Sequence, residues 1–218
     1  MKNIFLSYFL DSETPLYGGS KGVIINKDRS IENGDSANTK IIKFNNHSGT
    51  HIDFPNHFIK DGNTSSFYDA DFWHFNKIFL INVIVEKNQV INLTKDILDN
   101  VPKNIDFLII KTGFGKFRKT EDYWKFNPGI SPETGYLLKK LFPDLKIIGF
   151  DFISLTSFQN RELGRLAHKA FLGGEKPILI IEDMDLTEIE DSPKSLVCLP
   201  IMLSNVDGAP VTIIATLN

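Results

Sequence analysis

A stretch of eleven residues constrains this chain more than any other part of its sequence. Residues 47–57 read HSGTHIDFPNH and hold three of the five histidines in the protein. An aspartate, Asp53, lies between the second and the third of them. Imidazole nitrogens and carboxylate oxygens are the usual ligands of zinc, manganese and iron ions, and the same groups transfer protons. The stretch therefore predicts a metal site with a proton-transfer group beside it.

Gly49 and Pro55 decide which backbone this stretch can adopt. Glycine weakens a helix and proline breaks one, so a helix is disfavoured. On a straight strand His47 and His51 would share a face but lie roughly 13 Å apart, because a strand rises about 3.3 Å per residue. That separation is near the limit at which two imidazoles can bind one ion. We therefore expect a strand that bends near Gly49 and extends again through His51 and Asp53.

The alternative interpretation of this stretch is a polar surface loop that happens to carry three histidines. The glycine, the proline and the aspartate that alternate with the histidines argue against it, although a motif match can mislead.

The same residues resemble the motif of a known family. Residues 47–58, HSGTHIDFPNHF, are similar to the motif of the cyclase-like metal-dependent hydrolases, which include bacterial kynurenine formamidases and isatin hydrolases. The motif is long and specific, and the resemblance extends over most of the chain. It implies the swivelling β/β/α fold of the cyclase-like proteins. It also implies an N-terminal region that helps to cover an active site, in some members that of a neighbouring subunit.

Composition sets the class of protein and excludes several partners. The chain has 218 residues, 42% of them hydrophobic, which suits one globular domain over residues 1–218. The 24 Lys and Arg residues nearly balance the 27 Asp and Glu residues, which argues against a nucleic-acid partner. No apolar run approaches a membrane span and no signal-type segment is found, so we expect no membrane partner and a cytoplasmic location. Cys198, the single cysteine, cannot form an internal disulfide, in keeping with a reducing compartment.

Apolar β-branched runs alternate along the chain with segments that have helix caps. The runs predict buried strands at residues 77–85, 105–111, 145–150 and 177–181. The capped segments predict helices at residues 131–142, with Ser131 as N-cap, and at residues 160–172, which two glycines end. This alternation, without a repeat or a linker, predicts a single-domain α/β fold with a mixed sheet.

His168 and Glu182 are the candidates for the second half of the site. His168 lies late in a predicted helix, and Glu182 follows a buried strand, where a carboxylate without a partner would be costly. The family pattern places a metal-bound histidine on a helix and a metal-bound glutamate at the end of the next strand, which implies both residues as ligands. Two alternatives stay open: Asp183 in place of Glu182, and His168 as an exposed helical histidine.

The motif and the resemblance together predict the ligands and the cofactor. The predicted ligands are His47, His51, Asp53, His168 and Glu182. They suffice for one or two divalent metal ions per chain, with zinc as the first expectation and manganese as the alternative. His57 is the motif histidine left over, and we expect it to be the catalytic general acid and base.

Four further residues are candidates for substrate binding: Phe58, Trp73, Thr112 and Gly113. Phe58 follows the motif directly. Trp73 belongs to an aromatic run at residues 66–75, which either walls a pocket for a flat substrate or packs in the core. Thr112 and Gly113 end a predicted strand, and the family carries a similar Thr-Gly pair there.

The expected chemistry is hydrolysis of a carbon–nitrogen bond in a small-molecule amide, aryl formamide or cyclic amide. A metal-activated water attacks the carbonyl, and His57 protonates the departing nitrogen. A lactone or cyclic-substrate hydrolase, a cyclase, and a non-catalytic metal- or ligand-binding protein stay open as alternatives.

The expected protein partner is a second copy of the chain, as a homo-oligomer that is a dimer or a tetramer. An interaction module has no further support in the sequence. The loop at residues 30–39 either covers a site, its own or a neighbour's, or is a mobile surface connection.

Overall fold

Strands outnumber helices in this protein. The computed structural model describes residues 2–20 and 22–217, and within them thirteen strands and four α-helices form. The strands are β1 (Asn3–Phe5), β2 (Val23–Arg29), β3 (Thr39–Phe44), β4 (His51–Asp53), β5 (His74–Phe75), β6 (Ile78–Asn82), β7 (Val90–Ile91), β8 (Phe107–Lys111), β9 (Gly129–Ile130), β10 (Ile147–Phe150), β11 (Leu179–Glu182), β12 (Ser195–Pro200) and β13 (Gly208–Thr216). The helices are α1 (Lys95–Leu98), α2 (Asp122–Lys125), α3 (Pro132–Leu141) and α4 (Arg161–Leu172).

One large sheet organises these elements. Its strands follow the order β5, β12, β13, β4, β11, β10, β8 and β6, and β1 also pairs with β13. The four strands from β11 to β6 are parallel, whereas β4 pairs antiparallel with both β11 and β13. The predicted α/β class with a mixed sheet is therefore confirmed. Strand β4, which carries part of the histidine-rich stretch, lies where the parallel and antiparallel halves of the sheet meet.

The parallel half of the sheet is buried. Ile109 in β8, Ile148 in β10 and Ile180 in β11 are each 0% exposed. Continuous β-branched runs suit this position because a parallel strand covered on both faces meets no water. The strands are shorter than the runs that predicted them: the run at residues 77–85 forms β6 only over Ile78–Asn82.

Helix α4 packs against both α3 and β11. Helix α3 begins as predicted, because the Ser131 side chain accepts a hydrogen bond from the Thr134 N–H. Gly135 lets the two helices approach closely, since a Cβ there would lie 2.9 Å from the Phe171 ring. In the described residues, each helix is too short or too polar to cross a membrane.

Strands β2 and β3 form an antiparallel hairpin outside the large sheet. Four isoleucines are exposed on it, namely Ile24, Ile25, Ile41 and Ile42. Ile25 pairs directly with Ile42, so these two share one face, and Ile24 and Ile41 lie on the other. Residues 30–39 are predicted as a loop; residues 30–38 connect the two strands and include a 3-10 turn at Ile31–Asn33, whereas Thr39 begins β3.

Candidate metal centre

The register of β4 against β11 brings three of the predicted ligands together. His51 and Asp53 are two residues apart on β4, so their side chains point to the same face. Glu182, the last residue of β11, pairs directly with His51. All three side chains are buried, with 4%, 1% and 4% exposure respectively. His51 Nε2 lies 3.4 Å from Asp53 Oδ1 and 3.4 Å from Glu182 Oε2.

A bend in the backbone before β4 brings His47 close to this cluster. Gly49 has a φ of +62°, and a Cβ there would also lie 2.5 Å from Leu10 Cδ2, so the position requires glycine. After the bend, His47 Nδ1 lies 2.9 Å from Asp53 Oδ1. The predicted bend near Gly49 is therefore confirmed, and it replaces the long separation that a straight strand would impose.

Helix α4 supplies His168 from the opposite side. His168 is 2% exposed, which rules out an exposed helical histidine. Its Nε2 lies 3.5 Å from Asp53 Oδ2 and 3.6 Å from Glu182 Oε1. Its Nδ1 lies 2.9 Å from the carbonyl oxygen of Gly164.

Backbone carbonyls determine which nitrogen each imidazole presents to the cluster. His51 Nδ1 lies 2.8 Å from the Gly49 oxygen, as His168 Nδ1 lies 2.9 Å from that of Gly164. A carbonyl oxygen only accepts, so each Nδ1 carries the proton and, in the neutral ring, Nε2 keeps its lone pair. Both lone pairs then face carboxylate oxygens. This arrangement of acceptors is repulsive unless a cation or protons lie between them.

The spacing of these atoms fits a divalent metal ion. Asp53 Oδ2 is buried and has no hydrogen-bond partner among the described residues. The four contacts of His51 and His168 with the carboxylates are 3.4 to 3.6 Å long. Ligands placed tetrahedrally at metal bonds of about 2.0–2.1 Å lie roughly 3.3 Å from one another. Nitrogen and carboxylate donors in this number suit zinc, manganese and iron alike.

Two overlapping groups of donors can be distinguished, and Asp53 belongs to both. One consists of His51, Asp53 and Glu182, and the other of His47, Asp53 and His57. In each group the donor atoms all lie within 4.8 Å of one another. A carboxylate has two oxygens, so Asp53 can serve both groups at once.

The electrostatics of the cluster show how strongly its charges interact. Burial lowers the pKa of His168, but the carboxylates of Asp53 and Glu182 outweigh burial and raise this pKa to about 9. Burial likewise lowers the pKa of His51, and the same two carboxylates raise it well above its usual value. Burial raises the pKa of Asp53, yet the surrounding imidazoles hold it well below its usual value. When no ion is bound, protons on these histidines supply the positive charge that the carboxylates require.

Glu182 ends β11, whereas Asp183 follows the strand with a φ of +54°, and the two carboxylates have different partners. Glu182 Oε1 accepts hydrogen bonds from the Leu155 N–H at 2.7 Å and from the Ser154 hydroxyl at 3.2 Å. Asp183 instead accepts from Arg118 Nε and Nη2, each at 2.8 Å, and from the Tyr123 hydroxyl. The structure therefore places Glu182, and not Asp183, in the cluster.

Asp207 is a site residue that the sequence analysis missed. Its Oδ2 lies 2.9 Å from His57 Nδ1 and 3.1 Å from His47 Nε2. Burial raises its pKa, but His57 and His47 outweigh this and lower the pKa to about 2. Its neighbour Gly208 leaves room for the His47 ring, because a Cβ there would lie 2.3 Å from His47 Cε1. The Asp-Gly pair before the last strand was the only sequence signal, and such a pair usually marks a turn.

A cavity of about 410 Å³ opens over the cluster. His47, His51, His57, His168 and Glu182 line it. Phe58 lines it too, and its ring stacks on that of His168 with 4.2 Å between centroids. The structure thus places Phe58 where the sequence expected it.

The other three candidate substrate-binding residues lie away from this cavity. Trp73 packs against Phe54, with 6.4 Å between ring centroids, and lines a separate apolar groove. The backbone N–H groups of Thr112 and Gly113 donate to the Asp151 carboxylate at 2.8 and 2.7 Å. A substrate contact by Trp73, Thr112 or Gly113 stays a prediction from the sequence, without support from the lining of this cavity.

The mixed sheet places this protein among the α/β proteins. The buried cluster of His, Asp and Glu under an open cavity is a candidate metal-binding site. The Cyclase family model matches residues 4–156, and the chain belongs to this family. The resemblance inferred from residues 47–58 is confirmed.

Relatives and solved structures agree with this assignment. Cyclase-like protein 2 of Oryza sativa subsp. japonica is 25% identical over 214 residues, which cover 94% of this chain and 76% of that protein. Kynurenine formamidase of Bacillus mycoides is 27% identical over 184 residues, which cover 84% of this chain and 81% of that one. Isatin hydrolase A from Labrenzia aggregata, bound to benzyl benzoate, matches with a TM-score of 0.82 at 18% identity, covering 99% and 93% of the two chains. The predicted cyclase-like fold is therefore confirmed.

Proposed function

We propose that this protein is a metal-dependent hydrolase that cleaves the carbon–nitrogen bond of an amide, an aryl formamide or a cyclic amide. One observation carries the proposal: two imidazole Nε2 atoms face two buried carboxylates at 3.4 to 3.6 Å under an open cavity. The relatives named kynurenine formamidase and isatin hydrolase support this reaction class.

The proposed ligands are His47, His51, Asp53, His168 and Glu182. They would hold one or two divalent ions, zinc or manganese, and the buried group of His51, Asp53 and Glu182 supports the first of them. A bound ion of this kind polarises a carbonyl group and lowers the pKa of water.

His57 is the proposed general acid and base. Asp207 accepts the Nδ1 proton of His57 at 2.9 Å, which leaves Nε2 to exchange protons in the cavity. His57 takes a proton from the attacking water and returns it to the departing nitrogen, so its protonation state is restored in each turnover. Asp207 holds the ring in this orientation and stabilises its charged form, as a carboxylate does in a catalytic triad.

Phe58 is the proposed contact for the body of the substrate. Its stacked position beside His168 gives the cavity a flat apolar wall. Such a wall suits an aromatic ring next to the bond that is cleaved.

Metal analysis combined with a substrate screen tests the proposed function. Protein purified without chelators should contain one or two divalent ions per chain and hydrolyse some member of a panel of N-formyl arylamines, isatins and lactones. His168→Gln should lower both metal content and turnover, because an amide replaces a ligand nitrogen. His74→Gln is the matched control, since His74 is the one histidine outside the cluster and lies in β5. Metal-loaded protein without turnover on the whole panel would contradict the proposed reaction, and turnover of lactones alone would favour the lactone-hydrolase alternative.

We also propose that residues 1–218 act as one domain and assemble as a homo-oligomer, a dimer or a tetramer. The support is the β2–β3 hairpin, which exposes isoleucines on both faces. A two-stranded hairpin is marginally stable by itself in water, and a second copy packed against it would cover this apolar surface.

A further inference from the structure

Two arginines line the same cavity as the metal cluster. Arg161 and Arg165 belong to α4, seven and three residues before His168. This spacing puts all three side chains on one face of the helix. Since a helix rises about 1.5 Å per residue, the two Cα atoms lie roughly 10.5 and 4.5 Å from that of His168 along the helix axis. The positive charges therefore form a row that leads outward from the cluster.

These guanidinium groups lack the carboxylate partner that Arg118 has. Within residues 2–20 and 22–217, neither Arg161 nor Arg165 forms an ion pair, whereas Arg118 donates three hydrogen bonds to the Asp183 carboxylate. The chain has only four arginines, and two of them line this one cavity. An unpaired arginine beside a substrate cavity is suited to bind a planar anion such as a carboxylate.

The aromatic side chains at the cavity mouth hold Arg161 in place. Its Cζ lies 4.1 Å from the centroid of the Phe158 ring and 5.9 Å from that of Tyr17. The Tyr17 hydroxyl is buried and lines the cavity, and it lies next to the Arg161 guanidinium; burial raises the pKa of Tyr17 overall, although this guanidinium lowers it. A hydroxyl donor and an oriented cation thus lie together, and a carboxylate would satisfy both.

We propose that Arg161, Arg165 and Tyr17 bind a carboxylate group of the substrate, so that the preferred substrates are amides that carry a carboxylate. This inference rests on the proposed hydrolase function. Glu182 lines the cavity and is buried, as is its neighbour Asp53, whereas Arg161 and Arg165 line the cavity from exposed positions. A substrate carboxylate is therefore drawn to the arginines, which directs the opposite, neutral end of the molecule, with its carbonyl, toward the cluster.

A matched pair of substrates tests the inference. N-formylanthranilate carries a carboxylate beside an aryl formamide, and its methyl ester does not. We expect the metal-loaded protein to have a higher kcat/KM for the acid than for the ester. Arg161→Gln and Arg165→Gln should each lower this acid-to-ester ratio about tenfold, which is the effect expected for one charged hydrogen bond. The change should fall on KM for the acid, because carboxylate binding is the same in the ground and transition states.

Lys169→Gln is the control, because it removes a positive charge from the exposed side of the same helix, and it should leave the ratio as it is. An unchanged ratio in the double variant Arg161→Gln/Arg165→Gln would overturn the inference. An equal loss of kcat/KM for the acid and the ester would also overturn it, because such a loss indicates a structural role for the arginines.

Equilibrium binding separates this inference from the proposed function. If the protein hydrolyses neither compound, calorimetric titration with each of them still reports on the arginines, whereas the hydrolase proposal is judged on the whole substrate panel. Tighter binding of the acid than of the ester, lost in the double variant, would support the carboxylate site. Equal binding of the two compounds by the unaltered protein would overturn it.

Discussion

At the scale of single residues, the chemistry depends on which nitrogen each histidine presents. His51 and His168 direct Nδ1 to backbone carbonyls, so Nε2 faces the carboxylates. His57 directs Nδ1 to Asp207 instead. This difference in partners is the physical reason for assigning His51 and His168 as ligands and His57 as the residue that transfers protons.

Substitution of His57 separates metal binding from catalysis. His57→Ala should keep its fold and its metal and lose about 10²–10⁴ in turnover, the usual contribution of a proton-transfer residue. His51→Ala should lose metal, because it lacks a ligand. Metal per chain and turnover, measured on the same sample, decide between the roles. If His57→Ala loses metal as completely as His51→Ala does, then His57 is a ligand and the general base must be another group.

Gly208 should be necessary for the position of His47. In Gly208→Ala the new Cβ would lie 2.3 Å from the His47 ring, so the ring must move away from Asp53 and Asp207. We expect lower metal occupancy and a destabilisation of about 1–3 kcal/mol, as overpacking usually costs. Gly115→Ala is the control, since no atom lies closer than 3.5 Å to its Cβ position. Equal metal content in both variants would show that the ring position does not matter for binding.

The stability of the metal-free protein should fall at alkaline pH. The pKa of His168 is about 9 in the fold and 6.5 in an unperturbed histidine. A folded-state pKa above the unfolded one stabilises the fold fully below about pH 6.5, and the contribution is lost as the pH rises through about 9. Thermal unfolding with a chelator should therefore give a Tm several degrees lower at about pH 9.5 than at about pH 6.5. His168→Gln should flatten this dependence, and an unchanged slope in that variant would exclude His168 as its source.

At the scale of elements, two adjacent residues at the end of β11 have different roles, one in the cluster and one in a buried ion pair. Glu182 faces the cluster, and Asp183 ties the strand to Arg118 and Tyr123 on the other side. Asp183 has a φ of +54°, a conformation that aspartate tolerates better than most residues, and this turn of the backbone separates the two carboxylates. The ion pair therefore supports the position of Glu182 in the cluster without contacting the cluster itself.

Loss of this buried pair should be costly. Arg118→Met leaves Asp183, which is 1% exposed, without its cation, and we expect a loss of about 3–5 kcal/mol in the free energy of unfolding. Lys87→Ala breaks the exposed pair with Asp122 and should cost no more than about 1 kcal/mol. Urea denaturation of the three proteins measures both effects. A similar small loss in both variants would mean that Asp183 finds another partner or becomes protonated.

At the scale of the whole molecule, the β2–β3 hairpin is the feature that points to a second copy of the chain. Its apolar side chains are exposed although it belongs to no larger sheet. The double variant Ile25→Glu/Ile42→Lys replaces one apolar face of the hairpin by a cross-strand pair of opposite charges. Such a pair stabilises the hairpin, so the hairpin should still form. Light scattering should show an oligomer for the unaltered protein and a smaller species for the variant.

Ile84→Lys is the control for this experiment, because Ile84 is 96% exposed and lies outside the hairpin. It should leave the oligomer intact. A double variant with the full oligomeric mass would place the interface elsewhere, and a monomeric unaltered protein would contradict the oligomer proposal itself.

The sequence by itself determined the local features of this protein. The bend at Gly49, the buried strands and the cap of α3 follow from backbone preferences and hydrophobic patterns, which act over a few residues. The motif around His51 and Asp53 also indicated the family, because its residue types and spacing are those of the family's motif.

The family pattern implies His168 and Glu182 but leaves Asp183 open, and only the tertiary structure decides between Glu182 and Asp183 and adds Asp207. Strand β4 lies between β11 and β13, and this neighbourhood brings Glu182 and Asp207 to histidines more than a hundred residues earlier in the chain. The same packing pairs Asp183 with Arg118 and places Trp73 in a separate groove. Such choices depend on strand order and register, which arise from the burial of the whole sheet and leave no signal in the spacing of nearby residues.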